Sequence, residues 1–297
     1  MSASFGQRLL VEVERKGSPC VVGLDPHLDL LPEWVKEEYL DDPVAGIVAY
    51  NKLVIDAVAD IIPMVKPQSA FYEVFGPAGI SALQTTIEYA HEKGLLVLLD
   101  AKRGDMGSTS EAYATAYLDG SRSGMKVDSI TVNPYLGKES LEPWCRQAVK
   151  NDGGLFIVTL TSNSGSTNLQ GMVSDGFPLY IHVAKLVESL QEEYDSTTPY
   201  SAIGIVAGAT YPDQAALLRE YLPKSWFLVP GMGAQGGQAE PIRPLFNKDG
   251  MGALPSSSRG IMFPSKAASR EQSIQLVSVA TETFVSEIEA VRWSSYL

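Results

Sequence analysis

Histidine and cysteine are both scarce in this chain, with three and two residues among 297. His27, His91 and His182 lie far apart, as do Cys20 and Cys145, so no zinc site can be assembled from their spacing. Two cysteines build no disulfide framework and suit a reducing compartment. Basic residues are few as well, 23 Lys and Arg against 35 Asp and Glu. The net charge of −12 argues against a nucleic-acid binder, which needs a basic face for phosphates. No segment approaches the roughly 18 apolar residues of a membrane span. The first 13 residues carry Arg8 and Glu12, lack the apolar core of a signal peptide, and read as an amphipathic helix. A Gly-Xaa-Ser-Xaa-Gly elbow, a Rossmann glycine fingerprint, internal repeats and low-complexity tracts are all missing. The expectation is a soluble, cytoplasmic protein, and the absence of any shift in composition points to one domain over 1–297.

What the chain does have is alternation. Short apolar runs at 20–24, 64–67, 95–99, 129–132, 155–160, 202–207, 226–229 and 259–263 read as strands. Helical patterns separate them at 47–61, 82–93, 110–118, 141–150, 177–194 and 214–221, and a closing amphipathic helix covers 271–291. Residues 234–257, rich in Gly, Pro and Ser, read as one long irregular connection. Strands alternating with helices imply a parallel sheet, and eight such units in this length fit a closed (β/α)₈ TIM barrel with N- and C-terminal helices. In such barrels chemistry sits at the C-terminal strand ends. Here those ends carry Asp25, Lys66, Asp100 with Lys102, Asn133, Ser162, Thr210, Gln235 and Arg259.

Two constellations stand out. The five-residue aliphatic run 95–99 stops abruptly and delivers Asp100, Lys102 and Asp105. Side chains at i and i+2 of a strand share a face, so Asp100 and Lys102 point together. With Lys66 they make two cations and two anions around one rim, each able to keep its neighbours ionised. The same letters would also serve a salt-bridge network that only holds the rim in place. The second constellation is the run 230–237, Pro-Gly-Met-Gly-Ala-Gln-Gly-Gly, followed by Arg259. Glycines let backbone N–H groups approach an anion, and barrels often bind phosphate with the loops after strands seven and eight. A surface loop with an unrelated arginine is the alternative.

With these residues in place the chain resembles the orotidine 5′-phosphate decarboxylase family, most of all its longer bacterial-type branch. The matching stretches include Gly23-Leu24-Asp25-Pro26, Val65-Lys66-Pro67-Gln68, the run 99–109 from Leu-Asp-Ala-Lys to Gly-Ser-Thr, the run 131–137 Thr-Val-Asn-Pro-Tyr-Leu-Gly, the run 230–237 and Ser257-Ser258-Arg259-Gly260. Ser258 stands where shorter members of the family often carry Gly. The resemblance implies a homodimer that converts orotidine 5′-monophosphate (OMP) to UMP and CO₂ without metal or organic cofactor. It implies that Lys102 protonates C6 of the pyrimidine, that Asp100 lies against the departing carboxylate, and that Lys66 and Asp25 serve the ribose. It further implies that Asp105 and Thr109 reach across the dimer interface, that Ser162 meets the pyrimidine edge, and that Gln235 and Arg259 hold the phosphate. Two rivals remain: a Mg²⁺-dependent sugar-phosphate enzyme of the same superfamily, for which Glu73 would be the nearest acid beyond Lys66-Pro67, and a nucleotide-binding barrel without catalysis.

Overall fold

Strands covered on both faces must sort their side chains into two sets, one toward the helices and one toward the barrel interior. The computed structural model describes residues 3–196, 198–208, 210, 212–232 and 239–293. Its barrel strands are β1 (Val21–Leu24), β2 (Met64–Pro67), β3 (Leu96–Arg103), β4 (Ser129–Val132), β5 (Gly154–Leu160), β6 (Ile203–Ala207), β7 (Phe227–Val229) and β8 (Ala253–Ser257). All pair in parallel in chain order, and β8 bonds back to β1 to close the barrel. Val22, Val65, Val97, Leu99, Ile130 and Val132 join the surrounding helices in one large apolar cluster. The alternate residues, Val21, Met64, Leu96 and Leu98 among them, form a second cluster inside the barrel. Among the described residues no helix is long and apolar enough to cross a membrane.

The barrel base is closed by α1 (Phe5–Lys16), capped by Ser4, whose side chain accepts from the Gln7 backbone, and ended by Gly17 in the left-handed region. Its Phe5, Leu9 and Val13 belong to the interior cluster, and Phe5 meets Phe156 edge-on with centroids 6.1 Å apart. Gly6 and Gly154 permit this approach, because a Cβ at either would collide with the Tyr200 carbonyl or the Phe5 ring. A polar staple backs the apolar one. Arg8 Nη1 lies 2.7 Å from Asp128 Oδ1 and Nη2 donates to the Asp152 carbonyl at 2.9 Å. The second Asp128 oxygen accepts from the Val97 backbone and lies 2.9 Å from His91 Nε2. Burial works against ionised Asp128, but the bond to His91 and the charge of Arg8 outweigh it and hold the carboxyl below its usual range.

Asp128→Asn is therefore expected to lower stability by about 2 kcal/mol at neutral pH, less than for a fully buried pair because Arg8 and His91 are each about a third exposed. A depressed carboxylate pKa contributes stability above the ordinary value near ~4 and loses it as pH falls below that. The gap between the wild-type and variant melting temperatures should thus be full at pH 7 and shrink towards pH 3. Equal melting at pH 7 would refute the staple.

Most expected elements are present with shifted ends, and three expectations need correction. The run 259–263 is not the eighth strand. Arg259–Met262 is a single helical turn, apolar because Ile261 and Met262 are buried. The strand is Ala253–Ser257, disguised by Pro255, which lacks an N–H and reads as a breaker. The connection at 234–257 accordingly contains this strand and a 3₁₀ segment, Glu240–Leu245. Residues 177–178 do not start the helix Leu179–Tyr194 but pair antiparallel with Val173–Ser174 in a small ribbon.

Candidate active site at the barrel mouth

The interior parity that places Leu96 and Leu98 in the barrel continues to Asp100, and the parity of Met64 continues to Lys66. The apolar layers thus end in charge without a change of face. Lys66 and Asp100 are 4% and 6% exposed, a depth at which unpaired ions would be costly. They are paired: Lys66 Nζ donates to Asp100 Oδ2 at 3.2 Å and Lys102 Nζ to Asp100 Oδ1 at 2.6 Å. Burial pushes the Asp100 carboxyl up, but Lys66, Lys102 and the hydroxyl of Thr131 together hold it down at about 2. Burial likewise disfavours the Lys66 ammonium, and the charges of Asp100 and Asp25 reverse this and raise its pKa. Lys66 and Asp100 are therefore both charged at neutral pH.

Lys102 reaches this position through an irregular backbone. Its φ is +47°, which an L-residue with a side chain adopts only at a cost of about 1–2 kcal/mol. The β3–β4 register shifts between Leu99 and Arg103, so Lys102 sits in a bulge. Thr131 Oγ1 accepts from both the Ala101 and the Lys102 N–H, at 3.0 and 2.9 Å, and donates to Asp100 Oδ1 at 2.9 Å. The expected shared face of Asp100 and Lys102 is met, through a bulge instead of a regular pleat.

Asp25 closes the other side of Lys66. Its Oδ1 is buried without a hydrogen-bond partner among the described residues, a carboxylate oxygen with capacity to spare. Beside it, Gly23 sits opposite Lys66 in the β1–β2 ladder, and Ser258 packs directly against it where a Cβ would collide. Across the mouth, a Cβ on Gly208 would press on the Ser162 backbone and one on Gly231 would lie 3.9 Å from Ser162 Oγ. The loops after β5, β6 and β7 therefore converge on Ser162, whose side chain is exposed. Arg259 is exposed just past β8 and makes no side-chain hydrogen bond or ion pair among the described residues. Gln235 lies outside the described residues.

Comparison with known proteins identifies the family. The model of the orotidine 5′-phosphate decarboxylase / HUMPS family matches residues 21–270. The orotidine 5′-phosphate decarboxylase of Rhodopirellula baltica is 43% identical over 270 residues, 89% of each chain. The chain belongs to the orotidine 5′-phosphate decarboxylase family. The relatives it matches are named orotidine 5′-phosphate decarboxylase, a carboxy-lyase, and the fold agrees. A solved structure from Streptomyces avermitilis has a TM-score of 0.84 at 33% identity, covering 99% of this chain and 98% of its own. The Leishmania donovani OMP decarboxylase has a TM-score of 0.79 at 31% identity, covering 98% of this chain and all of its own.

The remaining expected positions divide. Asp105 does not join the Lys66–Asp100–Lys102 chain. Its Oδ1 accepts from the Met106 backbone next to it, and it forms no ion pair among the described residues. Thr109 is exposed on the helix Gly107–Ala114. Glu73, the acid a metal-dependent relative would need, is taken: it pairs with Arg103 and accepts from Ser69 Oγ. Among the described residues no three His, Cys, Asp or Glu side chains gather as a metal site would require. Sequence reasoning assigned no role to Thr131, Ser69 or Arg103. The one available signal was parity, since Thr131 and Ser129 are the polar residues at interior positions of β4 and Thr131 is the nearer to the mouth.

Proposed function

We propose that this barrel converts OMP to UMP and CO₂ with its own side chains as the only catalytic groups. The observation that carries the reading is the chain Lys66–Asp100–Lys102, in which a buried carboxylate stays ionised between two ammonium groups. The Lys102 side chain is 45% exposed at the mouth and so within reach of a substrate. With the substrate carboxylate against Asp100, two like charges meet in a poorly solvated place. Breaking the C6–carboxylate bond relieves that repulsion, releases CO₂ and leaves the electron pair at C6. Lys102 Nζ then delivers its proton to C6 and becomes a neutral amine. Its ammonium attracts the developing anion more strongly than the ground state, so the interaction lowers the barrier and not only the KM.

The other expected contacts follow from this placement. Asp25 and Lys66 take the ribose hydroxyls, Ser162 the pyrimidine edge, and Arg259 with Gln235 the phosphate. Guanidinium geometry suits phosphate oxygens, and Arg259, without a side-chain partner among the described residues, has its donors available. Phosphate lies remote from the reacting carbon, so its binding energy can be used for closure and desolvation. The working unit is a cytoplasmic homodimer. Supporting this, Met106, Tyr135 and Leu136 are 57%, 75% and 45% exposed on the loops after β3 and β4, beside Asp105 and Thr109. A second copy covering that surface would receive Asp105 and Thr109 at its own mouth.

The direct test is the absorbance of OMP mixed with purified, metal-stripped protein. Turnover should proceed at the same rate with and without EDTA. Inhibition by EDTA that magnesium reverses would point to the metal-dependent alternative, and UMP binding without OMP turnover to the non-catalytic one.

A further inference from the structure

We propose that Thr131 is a positioning residue for the decarboxylation, holding Lys102 in its left-handed backbone conformation and aligning Asp100 through one hydroxyl. The proposal rests on the roles assigned above to Lys102 and Asp100 and adds the group that keeps both in place.

A hydroxyl has one proton to donate and two lone pairs to accept with. Thr131 Oγ1 uses all three. It donates to Asp100 Oδ1 at 2.9 Å and accepts from the N–H groups of Ala101 at 3.0 Å and Lys102 at 2.9 Å. All three partners belong to the strand segment where the β3–β4 ladder loses register, between Leu99 and Arg103. A bulge leaves backbone donors without ladder partners, and two of them are satisfied here by a side chain of the adjacent strand. Losing that hydroxyl removes both bonds that tie the Ala101 and Lys102 N–H groups to β4, and with them the tether on Lys102 at φ +47°. The backbone would relax towards an extended conformation and swing the ammonium away from Asp100 Oδ1, which it now meets at 2.6 Å.

The residue type fits the task. Thr131 is fully buried, so its hydroxyl cannot exchange these partners for water. Its branched Cβ restricts χ1, which keeps the oxygen aimed at the bulge. Serine would keep the three bonds with a looser rotamer. Valine has nearly the same shape and makes none of them.

The test measures OMP turnover and UMP affinity for wild type, Thr131→Val and Thr131→Ser as full-length protein, with folding checked by circular dichroism. Thr131→Val should lose about 10- to 100-fold in kcat, the effect of a lost hydrogen bond to a charged group, while UMP affinity stays within about threefold. Thr131→Ser should recover kcat to within about threefold of wild type. A purely structural threonine would lower the melting temperature and leave kcat per folded molecule unchanged, and a folded Thr131→Val with wild-type kcat overturns the proposal. If the valine variant does not fold, Thr131→Ala against Thr131→Ser decides: serine restoring kcat supports the proposal, and serine falling as far as alanine overturns it. Failure of the wild type itself to turn over OMP would instead remove the reading of Lys102 and Asp100, and the proposal with it.

Discussion

Lys102→Ala should cost about 10⁴-fold or more in kcat for OMP, because one side chain supplies both the proton and the nearest positive charge to C6. The fold should survive the change. The Lys102 side chain is 45% exposed, and Asp100 would keep Lys66 and Thr131 as partners. Arginine should not rescue activity: it restores the charge, but its guanidinium holds its protons too tightly to act as an acid at neutral pH. Single-turnover measurements on protein with an unchanged circular dichroism spectrum check this. A variant within tenfold of wild type would mean that the proton comes from elsewhere.

Mixing two inactive variants should restore activity if Asp105 works in its partner's site. Lys102→Ala and Asp105→Asn should each be nearly inactive alone. In a mixed dimer one mouth receives an intact Lys102 from its own chain and an intact Asp105 from the other, while the second mouth lacks both. Random subunit exchange makes half the dimers mixed, with half their sites whole, so about a quarter of wild-type activity should return. No recovery, with exchange confirmed by mass, would show that Asp105 acts within its own chain or not at all. The structure motivates the experiment directly, since among the described residues the Asp105 side chain hydrogen-bonds only to the Met106 backbone while Lys66, Asp100 and Lys102 form a continuous chain without it.

The fold and much of the site were legible in the sequence for one physical reason. Barrel strands carry apolar residues on both faces, so each appears as an uninterrupted run, and the first charge after the run marks the mouth. That logic located Asp25, Lys66, Asp100 and Lys102, and the structure brings all four together. It failed at the eighth strand, where proline and serine replaced the expected aliphatics and a buried helical turn imitated a strand. It also could not foresee the bulge at Lys102. A left-handed lysine leaves no mark in composition, because the tether that permits it lies on a different strand some thirty residues away. Asp105 shows the same limit differently: its letter fits a charge cluster, but its contacts depend on where the chain turns after Arg103.

The order of synthesis gives the helix at the base a further consequence. The ribosome releases α1 before much of its seat, which includes Phe156, Tyr200, Trp226 and Leu254. At ordinary elongation rates those residues follow on the order of ten seconds or more later. Throughout that interval the apolar stripe of Phe5, Leu9 and Val13 lacks that part of its native surface. A helix made before the barrel that seats it is thus completed in its packing only when the last strands arrive.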